Sequence, residues 1–126
     1  MRVMWKEEGK AINYVYHAEQ PGVYGHNLPW RVHRDANNEE VRFIPGKWHH
    51  ISLEVTLNDP TIANGRMRSW LDGTLVLDYQ KIRNRIIDGL EIDSLYFDTY
   101  FGGPDYTWAP KKDEFVYFDN VLITSD

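Results

Sequence analysis

Cysteine is absent from the sequence, which removes disulfide frameworks, thiolate metal sites and thiol nucleophiles from consideration. No apolar run approaches the roughly 20 residues of a membrane-spanning helix, so a membrane partner is not expected. The amino terminus lacks the charged-then-apolar design of a signal peptide, so any secretion signal has been removed or lies outside these residues. Positive charge is scarce, with 14 Lys and Arg against 19 Asp and Glu and a formal charge of −5. A nucleic-acid binder carries a basic stripe to replace phosphate counterions, so nucleic acid is excluded as a partner. An anionic polysaccharide needs only a local basic cleft. Histidines at metal-binding spacing are missing too. His49 and His50 are adjacent and would point to opposite faces of a strand, so no transition-metal site is expected.

What the sequence does have is aromatic and β-branched residues in alternating runs. Its 126 residues fit one domain spanning 1–126, long enough to bury a real core. From His50 to Leu57, Ile51, Leu53, Val55 and Leu57 alternate with polar residues, which predicts a strand with one buried face. Ser94 to Phe101 and Glu114 to Ile123 read as two further strands. Asp72-Gly73 interrupts the segment Arg66 to Tyr79 and predicts a tight type I′ hairpin. Helix is expected only as a turn or two around Lys81 to Asp88. The stretch from Ala18 to Lys47, rich in Gly, Pro, Asn and charge, reads as a long loop with one short strand near Val41 to Ile44. About seven short strands with almost no helix indicate an all-β antiparallel sandwich or jelly roll.

The first residues predict a hairpin of their own, with Arg2 to Lys6 and Lys10 to His17 joined by Glu7-Glu8-Gly9. This register sets Arg2 opposite Tyr14 and Met4 opposite Ile12, with Tyr16 a diagonal neighbour on the same face. One arginine and two tyrosines then share a surface. Sheet tyrosines are common, and from pattern alone Tyr14 and Tyr16 are better explained by packing than by chemistry.

Several segments, taken in order, carry a resemblance: Arg2-Val3-Met4-Trp5, Tyr14-Val15-Tyr16, Pro45-Gly46-Lys47-Trp48, Leu57-Asn58 and Thr99-Tyr100-Phe101-Gly102-Gly103. The chain resembles the alginate and glucuronan lyases built on a single β-jelly-roll domain, concanavalin-like in architecture. The resemblance covers most of the chain but not the family's amino-terminal part, which supplies further strands, a lysine and a serine. It therefore implies either a fragment or a shortened relative that completes its sandwich by pairing with another copy, since an open sheet edge is seldom left uncovered.

A poly-uronate lyase removes the proton beside a carboxylate and expels the glycosidic oxygen, which requires a cation on that carboxylate, a base and an acid. The resemblance implies Arg2 as the carboxylate-binding group and Tyr14 and Tyr16 as the catalytic pair. Guanidinium binds a carboxylate bidentately and stays charged at any working pH. A phenol is a poor base at neutrality unless cations stabilise its phenolate, and Arg2, Lys10 and His17 are the candidates for that task. His26, Trp30, Arg31, His33 and Arg34 crowd the long loop, and Trp30, Arg31 and His33 join the expected substrate-binding set, Trp30 by stacking on a sugar ring. An ordinary polar loop with one anchoring Trp explains them equally well. No redox cofactor is required. A structural calcium is left open by Phe118-Asp119-Asn120, with Asp119 as its one nameable ligand against the plainer reading of a turn aspartate.

The expectation from sequence is thus a domain acting on acidic polysaccharide, extracellular by resemblance, with self-association if it folds as given. A non-catalytic carbohydrate-binding or lectin-like module on the same sandwich is the alternative, and a structural relative that has lost sugar binding is a third.

Overall fold

The structure, a computed structural model, describes residues 1–34 and 37–125, with the side chains of His33 and Arg34 outside the described set. Its regular structure is all-β and antiparallel, with two three-residue 3-10 turns the only helical features among the described residues. The chain divides into two compact units, 1–92 and 93–126.

Among the described residues the first unit holds every strand. β1 (Arg2–Trp5), β2 (Ala11–Val15) and β3 (His26–Pro29) form one sheet in that order. β4 (Arg31–Arg34) and β5 (Asn37–Glu40) form a two-stranded ribbon, and β6 (Ile51–Thr56), β7 (Gly65–Leu71) and β8 (Thr74–Ile82) form the second three-stranded sheet. The opening hairpin has the register the sequence predicts, Arg2 opposite Tyr14 and Met4 opposite Ile12. At the second hairpin Asp72 and Gly73 both take positive φ, 50° and 79°, as a type I′ turn requires.

Alternation then decides which face meets which. Ala11, Asn13 and Val15 of β2 point to the interior, as do Met67, Ser69 and Leu71 of β7, so the two sheets face each other as a sandwich. Val15 and Leu28 pack with Met67 and Ile82, and Ala11, Trp30 and Val41 with Leu71 and Val76. A polar bridge crosses this core. The Asn13 side-chain amide donates to Ser69 Oγ at 2.8 Å and its oxygen accepts from the Trp30 indole N–H at 3.0 Å, with all three residues fully buried. These bonds satisfy groups that would otherwise be costly to bury.

Four expectations are corrected. The loop from Ala18 to Lys47 contains three strands, β3 to β5, whereas Val41 to Ile44 is not a strand and makes a single bridge, Arg42 to Lys10. Residues 81–88 do not form a helix: β8 runs to Ile82, and the Asn58 side-chain oxygen accepts the amides of Asn84 and Arg85 that a helix would have used. Ser94 to Phe101 and Glu114 to Ile123 form no ladder. The second unit is irregular, with Leu95, Phe97 and Leu122 exposed and Phe97 meeting Phe118 edge to face at 4.6 Å. Alternation makes a strand only where a partner strand supplies the hydrogen bonds. Finally, β6 forms where expected, yet Ile51 and Leu53 are 40% and 44% exposed, because β6 is the sheet's edge and the packing falls on β7 and β8.

The outer face of the second sheet is charged and paired. Glu54 meets Arg68, which also lies over the Trp70 ring, and Arg66 grips Asp78 through two bonds of 2.7 and 2.6 Å. Arg66, helped by Gln80, holds the Asp78 carboxyl down at about 2. The His50 amide, His49 and Lys47 push Asp72 below the ordinary carboxylate range as well. A lowered folded pKa adds stability above the unfolded value of about 4, and that stability is lost as pH falls toward about 2. Both sites are exposed, so each contributes no more than about 1 kcal/mol. Asp78→Asn is expected to lower stability by up to about that amount at neutral pH, with the gap to the native chain closing near pH ~2 in denaturant titrations.

Candidate active site

Tyr14 leaves β2 on the face opposite the core, beside Arg2 of β1 and Asn27 of β3. Tyr16 follows just past the strand end with the same orientation. Their rings meet edge to face at 5.4 Å and 88°, and their hydroxyl oxygens lie 3.3 Å apart. The Gly25 backbone N–H donates to the Tyr14 oxygen at 2.8 Å. A charge on that oxygen is therefore met by a backbone amide and, with the shared proton on Tyr16, by a second donor. The hydrogen bond to Tyr14 raises the Tyr16 phenol above its ordinary value, helped by burial and by the Tyr14 charge, while the Gly25 amide and the Arg2 cation act the other way.

Gly25 is fixed by contact. A Cβ there would lie 2.6 Å from Cζ of the Tyr14 ring, closer than real carbons approach. Gly25→Ala must push the phenol away, and if the pair moves protons, a displacement of this kind costs activity far more than stability. We expect kcat to fall by about 10²-fold with the melting temperature nearly unchanged; unaltered turnover would show that the contact does not position the ring.

Beside Tyr16 opens a groove of about 520 Å³ lined by His17, Gln20, Asn84, Arg85 and Leu90 among others. His17 Nε2 lies 3.3 Å from His26 Nδ1, and the His26 ring stands edge-on to Tyr79 at 5.7 Å. Burial first, then the neighbouring His26, lowers the His17 imidazole, with Glu19 opposing, so His17 favours the neutral form.

The other expected residues are placed as follows. Lys10 is four residues from Tyr14 and bound to Glu40 at 3.5 Å, so it does not stand beside the phenols. Arg31 also binds Glu40 at 3.5 Å. Trp30 is a correction: with no exposed surface, its ring has no face to offer a sugar, and it belongs to the core. The His33 side chain lies outside the described residues. Asp119 lies in the second unit and accepts the Asn120 amide at 2.8 Å, as a turn aspartate does. No three His, Cys, Asp or Glu side chains converge as metal ligands among the described residues. Sequence reasoning missed Gly25, whose role depends on a contact across 11 positions, and the Asn84 and Arg85 wall of the groove.

Residues 1–121 match the family model of polysaccharide lyase 14. The chain belongs to that family. No curated protein and no solved structure gives a significant match. The match spans the Arg2, Tyr14 and Tyr16 face and nearly all of the chain, so this polysaccharide lyase 14 domain carries the tyrosine pair inside the matched region.

Proposed function

We propose that the domain cleaves a poly-uronate, alginate or glucuronan, by β-elimination. Arg2 binds the uronate carboxylate and draws off charge as the adjacent C–H is deprotonated. Tyr14, acting as the phenolate, takes that proton, the bond to the glycosidic oxygen breaks, the departing oxygen takes the Tyr16 proton, and passage of the new Tyr14 proton to Tyr16 across 3.3 Å restores the starting state. The product keeps the lost electron pair as a carbon–carbon double bond. No redox cofactor enters the scheme. The observation that carries this reading is the pair of phenol oxygens at 3.3 Å, with the Gly25 amide on one and Arg2 opposite Tyr14 in the hairpin register. Polymers of this kind lie outside cells, and the domain is assigned there with them.

For the binding-module alternative Trp30 is the expected stacking residue, and a buried Trp30 cannot stack on a sugar. The test of substrate class is carboxyl reduction. Alginate and glucuronan are offered beside the same polymers with their carboxylates reduced to alcohols. Unsaturated product from an acidic polymer and none from its reduced form is expected. Equal cleavage of both forms would contradict the reading.

A further inference from the structure

The face that carries the tyrosines also gathers cations at its other end. Lys10 has the same parity as Ile12 and Tyr14, and four residues at about 3.3 Å each put it roughly 13 Å from Tyr14. There Lys10 and Arg31 each approach Glu40 at 3.5 Å, and Arg42, joined to Lys10 by an isolated β-bridge, approaches it at 3.9 Å. Arg42 also reaches Glu8 at 2.7 Å. Among the described residues three cations thus share two carboxylates, Glu40 and Glu8, in a chain whose net charge is −5. The contacts to Glu40 are long, and Lys10, Arg31, Arg42 and Glu40 are 38–40% exposed. Pairs of that kind add little to stability and stand open to an incoming anion.

We propose that Lys10, Arg31 and Arg42 form a second carboxylate-binding site, which holds a uronate of the same polymer several sugars away from the bond being cut. Glu40 occupies the site in the free protein and is displaced by, or shares the cations with, the ligand's carboxylate. With the groove beside Tyr16 at one end and this cluster at the other, substrate runs along β2 past the tyrosine pair, and cleavage is internal to the polymer. The proposal rests on the poly-uronate reading above and names two residues, Arg42 and Glu40, that control how chain length is sensed.

The experiment measures binding and cleavage separately for the native chain, Glu40→Gln and Arg42→Gln, on long poly-uronate and on a uronate trimer, at low and high salt. Glu40→Gln removes the internal competitor and is expected to tighten polymer binding several-fold, whereas Arg42→Gln weakens it several-fold. Both effects are expected to be much smaller on the trimer and to shrink as salt screens the charges. Unfolding curves confirm that both variants are folded. If Glu40→Gln weakens polymer binding or leaves it as it was, or if polymer and trimer respond alike, the cluster is a surface ion-pair network and the proposal is overturned. Binding that follows the expected pattern without any cleavage sinks the lyase reading alone; absence of poly-uronate binding by the native chain sinks both.

Discussion

Tyr14→Phe is expected to lower turnover of poly-uronate by about 10²–10⁴-fold while leaving the fold in place, the loss typical of removing a positioned acid or base. The ring remains and keeps its edge-to-face contact with Tyr16. What disappears is the oxygen that accepts the Gly25 amide and faces the Tyr16 hydroxyl. Leaving that amide without its acceptor costs about 1 kcal/mol at a part-buried position, which a stable domain tolerates. Tyr16→Phe removes the other half of the pair from a side chain that is more than half exposed, so its effect falls on kcat and hardly on stability. The two losses are expected not to add, because base and acid serve one elimination reaction as a unit. Steady-state kinetics on both single variants and the double variant, beside their melting curves, check this. A Tyr14→Phe protein with near-native kcat would remove Tyr14 from the chemistry.

The largest structural effect is expected at Trp30. Trp30→Ala should cost about 3–5 kcal/mol, a sizeable part of the stability of an ordinary domain. The indole is wholly buried among Ala11, Val41, Leu71 and Val76, it meets the Phe43 ring at 5.6 Å, and its N–H holds the Asn13 oxygen. Trp30→Phe restores most of the volume but leaves the buried Asn13 oxygen without its donor, and is expected to cost about 1–3 kcal/mol. Denaturant unfolding gives both numbers. A Trp30→Ala chain of native stability and weakened polysaccharide binding would instead make Trp30 a surface platform.

Trp30 also shows where sequence reading stops. Its neighbours are Gly, Asn, Pro and charged residues, which announce a loop, and nothing local reports that its amide donates to Ala11 and its carbonyl accepts from Val41. Those bonds, made across 19 and 11 positions, turn a polar stretch into strand neighbours and bury the ring. The opening hairpin was legible for the opposite reason: its turn and its alternation lie within fifteen residues, so the Arg2 to Tyr14 register follows from local geometry. The Asp72-Gly73 hairpin is the same case. Ser94 to Phe101 has as clean an alternation, but a strand needs a partner as well as a pattern, and its apolar side chains stand exposed within the second unit. At the candidate site, Tyr14, Tyr16 and Arg2 could be found from sequence because they share a hairpin face. Gly25 and Arg42 could not, because what each touches is set by the chain's return across β2.

The central claim is that the Tyr14 and Tyr16 pair performs β-elimination on a poly-uronate. The most direct measurement follows ultraviolet absorbance of the unsaturated product over time, with alginate and with glucuronan, for the native chain, Tyr14→Phe and Tyr16→Phe. The account predicts a steady rise with at least one polymer that both substitutions abolish. A flat trace from folded native protein on both polymers, or a rise that survives both substitutions, would contradict it.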